Sequence, residues 1–121
     1  MQATEVIGWS GEARPTEAPR NFMNIPPIEP KTSTFKWEPV SLESIRGHFR
    51  GYKIQTWTAE ESEDQRREVS VSNNVTHVLI SILKPNSRNY VQVLAFNSQY
   101  NGPASERIEV ITPVCILILF N

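Results

Sequence analysis

The sequence is poor in features that mark several large classes of protein. It has a single cysteine among 121 residues, Cys115, so no disulfide can form within the chain and stability has to come from packing. Lys and Arg number 12 against 13 Asp and Glu, which leaves no excess positive charge to attract nucleic acid. The most apolar stretch, residues 114–121, is far shorter than the about 20 residues that a helix needs to cross a bilayer. We therefore expect neither a nucleic-acid partner nor a membrane span.

Residues suited to catalysis or metal binding are also few. The two histidines, His48 and His77, do not lie in a metal-ligand spacing with each other or with Cys115. No Gly-x-Ser-x-Gly or similar nucleophile motif is present. The acidic run at 59–64 lacks the Asp-x-Asp-x-Asp-Gly spacing of a calcium loop, so a solvated hairpin loop is the simpler interpretation. The sequence predicts a protein that is not an enzyme and has no metal or cofactor.

What the chain does contain favours short strands around one core. Nine Pro against five Gly, together with frequent Val, Ile and Thr, are typical of strands and turns rather than helices. Hydrophobic residues make up 39%, and three Trp, three Tyr and five Phe are enough to fill a core. At roughly 150 residues per domain, the length indicates a single domain.

Alternation of apolar and polar residues predicts seven strands. They span 22–28, which Pro26 and Pro27 restrict to an edge, then 32–37, 52–57, 68–71, 78–83, 90–97 and 107–110. We expect their inward side chains to form the core, with Trp37, Tyr52, Ile54 and Leu83 in it. Because no amphipathic helix separates the strands, the pattern indicates an antiparallel sandwich or barrel.

Several short motifs resemble the fibronectin type III family. They are Trp37-Glu-Pro39, Gly51-Tyr-Lys-Ile54, Leu83-Lys-Pro85, Ala95-Phe-Asn97, Gly102-Pro-Ala-Ser105 and Thr112-Pro113. The resemblance implies an all-β fold, a seven-stranded antiparallel immunoglobulin-like sandwich over residues 19–113. Residues 1–18 would then be a linker and the remnant of a preceding repeat, and residues 114–121 an atypical apolar tail.

Other stretches resemble, within that family, the insect members of the neurofascin-type neural adhesion molecules, closest to their third fibronectin repeat. They are Ser10-Gly-Glu12, Ala18-Pro19, Ser44-Ile-Arg-Gly-His48 and the run 51–57. The resemblance implies a non-catalytic extracellular spacer and protein-interaction module in cell adhesion and axon guidance. Its partners would be other domains of the same or neighbouring adhesion molecules. The alternative is a module of a signalling receptor or an intracellular scaffold, because a fold does not determine function.

The two ends of the chain carry further expectations. The first ten residues lack the basic start and apolar run of a secretory signal peptide, so an extracellular role implies a longer parent. Residues 114–121 do not resemble the joint that leads to a next repeat. One interpretation is an end created by a retained intron, an alternative exon or a mis-assembled gene. The other is a tail that binds a partner or a membrane.

One family feature is altered in this sequence. Fibronectin repeats usually carry a tyrosine six residues after the strand leucine, where its hydroxyl bonds back to the backbone as a tyrosine corner. Counted from Leu83, that position holds Asn89, and Tyr90 follows one residue later. Because side chains alternate, Tyr90 points outward unless a bulge restores the phase. The sequence allows both outcomes.

Two surface features are candidates for function. If the third and sixth strands pair as in the family, Trp57, Leu94 and Phe96 share the outer face of one sheet. That set is either a docking patch for another domain or cross-strand packing that stiffens the sheet. The second feature is the triplet Asn74-Val75-Thr76, an N-glycosylation sequon that also makes sense as plain turn chemistry.

Overall fold

Residues 11–115, which the computed structural model describes, form two antiparallel sheets packed face to face. The strands are β1 (Arg20–Ile25), β2 (Ser33–Glu38), β3 (Phe49–Thr58), β4 (Arg67–Ser72), β5 (His77–Ile80), β6 (Arg88–Asn97) and β7 (Ile108–Ile111), with short 3-10 turns at Leu42–Ile45 and Glu63–Gln65. One sheet has the order β1-β2-β5 and the other β4-β3-β6-β7. The predicted seven-stranded immunoglobulin-like sandwich is confirmed. The outer parts of the predicted linker and tail, residues 1–10 and 116–121, lie outside the described residues.

The strands differ from the predicted spans mainly at their ends. The fifth strand stops at Ile80 rather than Leu83, because Leu83 N–H donates instead to the carbonyl of Lys31, outside the ladder. The third strand begins earlier, at Phe49, and its register with β6 shifts between Phe49 and Gly51. Gly51 has a φ of 152°, and a Cβ there would collide with the carbonyl oxygen of Val71. Only glycine fits this close approach of β3 to β4.

The core lies between the sheets and contains the side chains that alternation assigned to it. Trp37 is 4% exposed, Leu83 is 3% exposed, and Tyr52 and Ile54 are fully buried. All four belong to one buried cluster, completed by Phe35, Val40, Ile45, Ile80, Val91, Val93, Ala95 and Val110. Period-two alternation therefore identified the inner face of both sheets.

A chain of aromatic rings crosses this core. Phe22 on β1 stacks on Phe35 on β2 with 5.6 Å between ring centroids. Trp37 on β2 meets Tyr52 on β3 edge-on at 5.3 Å, and Phe49 meets Tyr52 at 5.4 Å. Edge-on and offset stacked rings are favourable beyond the area they bury. Trp37 and Tyr52 thus join the two sheets directly.

Asn89 occupies the place of the missing tyrosine corner. Its side chain is fully buried, accepts a hydrogen bond from Lys84 N–H at 3.0 Å and donates to the Lys84 carbonyl at 3.1 Å and the Ser87 carbonyl at 3.2 Å. The β3–β6 register is regular here, with Thr58 opposite Asn89 and Trp57 opposite Tyr90. No bulge restores the phase, so Tyr90 lies on the outer face and forms no corner.

We expect Asn89→Ala to lower the free energy of unfolding by about 1–3 kcal/mol, because the Lys84 N–H loses the side-chain oxygen that accepts its hydrogen bond. Urea denaturation measures this difference. The control is Gln99→Ala, which removes an exposed amide and should change the value by less than about 0.5 kcal/mol. Equal stability of the two variants would show that water satisfies the loop in place of Asn89.

Candidate functional site

The residues considered for catalysis and metal binding lie in separate parts of the sandwich. His48 precedes β3, His77 begins β5, and Cys115 follows β7 in an exposed position. Within residues 11–115, no three His, Cys, Asp or Glu side chains are grouped so that they could hold a metal ion. The same part of the chain contains no helix of the length and apolar character that a bilayer crossing requires.

The three residues expected to form an outer apolar patch do share the outer face of the four-stranded sheet. In the β3–β6 register Lys53 lies opposite Leu94 and Trp57 lies opposite Tyr90. However, Trp57 is only 2% exposed and Leu94 only 4%, while Phe96 is half-buried. The expectation of exposed apolar area at Trp57 and Leu94 is therefore wrong. Alternation places a side chain on a face, but it does not tell what covers that face.

Cationic side chains lie over the aromatic rings of this face. Lys53 Nζ is 4.5 Å from the centroid of the Phe96 ring, and the Arg107 guanidinium is 4.2 Å from that of Tyr90. The Tyr90 ring in turn packs against Trp57 at 5.9 Å. Each cation–π contact contributes about 0.5–1 kcal/mol at an exposed site. This arrangement favours cross-strand packing over docking as the role of the face.

A row of polar side chains separates the two aromatic groups. Gln92 on β6 donates to the Oε1 of Gln55 on β3 at 2.8 Å, and Gln55 donates to Glu68 on β4 at 2.8 Å. Lys53 Nζ lies 3.9 Å from the other carboxylate oxygen of Glu68 and donates to Asn101 Oδ1 at 2.9 Å. Gln55 is 3% exposed, so these hydrogen bonds are needed to satisfy its buried amide. Alternation along the strands predicts that these residues lie on one face of the sheet, but it does not reveal the hydrogen bonds between them.

The segment before β1, predicted to be part of a linker, is attached to the sandwich. Ala13 N–H donates to the Arg46 carbonyl at 3.0 Å, and Thr16 N–H donates to the Ser44 carbonyl at 2.9 Å. The buried Asn97 at the end of β6 donates to the Ala13 carbonyl at 2.8 Å. These bonds join parts of the chain far apart in sequence, and local composition does not reveal them.

Side chains add to this attachment. The Arg14 guanidinium lies 5.5 Å from the Tyr100 ring centroid and donates to the Asn101 carbonyl at 3.3 Å. Glu12 accepts a hydrogen bond from His48 N–H at 3.1 Å. The amino-terminal end of the sandwich, where β1 starts, thus has a defined shape from residue 12 onward.

The acidic loop at 59–64 is solvated except at Glu61. That carboxylate accepts hydrogen bonds from Thr58 N–H at 2.9 Å and Arg67 at 3.2 Å, and it pairs with Lys84 Nζ at 2.9 Å. The Lys84 ammonium, followed by the Thr58 N–H, lowers the pKa of Glu61 to about 2. Glu61 therefore ties the β3–β4 loop to the β5–β6 loop, while its neighbours Glu60, Glu63 and Asp64 are exposed.

Asn74 lies in the exposed turn between β4 and β5. Its side-chain oxygen accepts a hydrogen bond from Ser72 Oγ at 2.8 Å. The asparagine of the sequon is thus on the surface.

Known proteins similar to this chain include neural cell adhesion molecules. A family model for the fibronectin type III domain matches residues 17–111. The chain is 49% identical to Drosophila melanogaster neuroglian over 114 residues, which cover 93% of this chain and 9% of neuroglian. It is 36% identical to the human neural cell adhesion molecule L1 over 106 residues, which cover 83% of this chain and 8% of L1. The chain thus spans less than a tenth of these curated relatives.

Solved structures support the same relation. The solution structure of the fn3 domain of human contactin 1 superposes with a TM-score of 0.76 at 26% identity, covering 97% of this chain and 93% of that domain. The resemblance to insect neural adhesion molecules, inferred from short motifs, is confirmed by the neuroglian match. Its placement as the third repeat stays a prediction.

We expect Glu61→Gln to reduce stability at neutral pH and to remove part of its pH dependence. Glu61 has a folded pKa of about 2, below the ordinary value of 4.5. Its contribution is therefore complete above the ordinary pKa and is lost as the pH falls through the folded one. Urea midpoints measured between about pH 7 and pH 2 should converge for the variant and the wild type at the acidic end. The exposed neighbour variant Glu63→Gln should follow the wild type, and a constant gap at all pH values would contradict the Lys84 pairing.

The burial of the outer face predicts different costs for truncating Trp57 and Phe96. We expect Trp57→Ala to lower the free energy of unfolding by about 3 kcal/mol, because a buried indole leaves a cavity. Phe96→Ala, at a half-buried position, should cost about 1 kcal/mol. Chemical denaturation of both variants measures the difference. Wild-type stability of both variants would contradict cross-strand packing as the role of this face.

Proposed function

The chain belongs to the fibronectin type III family, and we propose that it is a non-catalytic extracellular module of a neural cell-adhesion molecule. In this role it spaces and orients its neighbours in a longer parent and contacts other domains of the same or adjacent molecules. The observation that supports this most is the 49% identity to neuroglian over 93% of the chain. We extend the proposal to a role in axon guidance on the same likeness.

The topology suits a spacer because the chain enters the sandwich at one end of the long strand β6 and leaves it at the other end. Asn97, the last residue of β6, binds Ala13 ahead of β1. Arg88, the first residue of β6, pairs with Ile111, the last residue of β7. A module of this kind adds its full length to a tandem array. The ten residues of β6 span about 33 Å at 3.3 Å per residue.

Attachment of the leading segment also suits this role. Two backbone hydrogen bonds and the Asn97 side chain hold residues 13–16 against the loops at the amino-terminal end. A joint held in this way restricts the angle to a preceding domain more than a free linker does. The module would therefore set direction as well as distance.

A chimera tests the proposal. The matching stretch of Drosophila neuroglian is replaced by residues 11–113 of this chain, and aggregation of suspended cells that express the chimera is compared with unmodified neuroglian. We expect surface delivery and aggregation close to the unmodified level, because the module supplies the same length and end-to-end geometry.

The matched control replaces the same stretch by a Gly/Ser linker of equal residue number, which is flexible and has no fixed span. It should reach the surface and aggregate cells less well. The proposal fails if the chimera is present on the surface without aggregating cells. The spacer role fails if the flexible linker works equally well.

A further inference from the structure

The turn between β4 and β5 carries the single Asn-x-Ser/Thr triplet of the chain, Asn74-Val75-Thr76. Asn74 is exposed, whereas Thr76 is half-buried. The backbone carbonyl of Thr76 accepts a hydrogen bond from Trp37 N–H at 3.0 Å, and Val75 N–H closes the turn onto the Ser72 carbonyl at 3.1 Å. The triplet therefore lies in a turn held by the backbone, with its asparagine toward solvent.

The two neighbouring asparagines of this turn have different roles. Asn73 uses its Nδ2 to donate to the Phe49 carbonyl at 3.0 Å, so its amide has a structural task. Asn74 accepts from Ser72 Oγ through Oδ1, and its Nδ2 makes no hydrogen bond within residues 11–115. Nδ2 is the atom that carries an N-linked glycan. Asn74 Nδ2, the nitrogen that would carry the glycan, is thus free of hydrogen bonds within the described residues.

We propose that Asn74 is N-glycosylated, which rests on the proposed extracellular placement of the module. In the reaction Asn74 Nδ2 gives up a proton to a base of the transferase and forms a bond to the anomeric carbon of a sugar carried by a lipid-linked oligosaccharide diphosphate. The bond from that carbon to the diphosphate breaks, and the lipid diphosphate leaves with the electron pair. The Thr76 side chain supplies the hydroxyl that the sequon requires.

The position of Asn74 gives the glycan a structural consequence. The turn joins β4 and β5, and each of these strands is the last strand of its sheet. Such edges present unpaired backbone groups to other chains, and on β5 Leu79 adds a side chain that is 62% exposed. A hydrated oligosaccharide at the turn where β4 ends and β5 begins hinders pairing of these edges with a second copy.

The test expresses the whole chain in insect cells behind a secretion leader, with a carboxyl-terminal tag that contains its own Asn-Gly-Thr triplet. Enzymatic release of glycans in heavy-oxygen water converts each modified asparagine to a labelled aspartate, which peptide mass spectrometry locates. We expect label at Asn74 in most molecules. Molecules with a glycosylated tag and an unmodified Asn74 would overturn the proposal. The glycan on the tag would show that these molecules were exposed to the transferase.

Four variants provide matched controls. Asn74→Gln and Thr76→Val should remove the label, and Thr76→Val does so while keeping the side-chain shape. Thr76→Ser and Asn73→Gln should keep it. Label at position 74 in Thr76→Val would contradict the assignment. Because the leader directs the chain into the secretory pathway in every case, this result does not depend on the neuroglian chimera, which tests the cellular role separately.

Self-association tests the consequence at the strand edges. Light scattering with size-exclusion chromatography compares secreted wild type with Thr76→Val at matched concentrations. We expect the wild type to stay monomeric and the variant to show a severalfold larger dimer fraction. Equal dimer fractions would overturn the shielding of the edges.

Discussion

The contact between Trp37 and Tyr52 holds the two sheets in their relative position. Trp37 lies on β2 and Tyr52 on β3, and the Tyr52 hydroxyl accepts a hydrogen bond from Val40 N–H at 3.2 Å, in the segment that leaves β2. The two rings therefore join the sheets through both packing and a polar bond. Removing one large buried ring costs about 3–5 kcal/mol, a large part of the 5–15 kcal/mol that stabilises a typical domain. The outer faces and loops keep their positions only while this layer is intact.

The end of the sandwich where β7 finishes is closed by polar contacts rather than by more core. Asn89 satisfies both the N–H and the carbonyl of Lys84, because an amide side chain can donate and accept at once. The Lys84 side chain then pairs with Glu61 of the neighbouring loop. Lys84 thus links the corner at Asn89 to the acidic loop at 59–64. This explains how the sandwich tolerates the loss of a feature that most of its family keeps.

Sequence reasoning succeeded where a property repeats along one strand and failed where it depends on distant residues. Alternation found Trp37 and Ile54 on the inner face, since the period of two follows from strand geometry itself. It also placed Trp57 on the outer face, but burial there comes from Tyr90 on another strand. The role of Asn89 could have been suspected, because an asparagine at a corner position can bond to nearby backbone. The attachment of Ala13 to Asn97 had no local pattern at all.

The distribution of satisfied and unsatisfied polar groups on the surface supports the proposed spacer role. On the outer face of the four-stranded sheet, the hydrogen bonds of Gln55 and the cation–π contact of Lys53 are already made within the domain. A partner docking there would have to break them, and the loss would offset part of the binding free energy. The β5 edge takes no part in this network, whereas β4 does so through Glu68, so contact along the β5 edge costs least. Asn74 lies near the start of β3, because the adjacent Asn73 donates to the Phe49 carbonyl, so an oligosaccharide there would restrict contact at the β5 edge and leave the opposite end, where β7 finishes, free for contact in a tandem array.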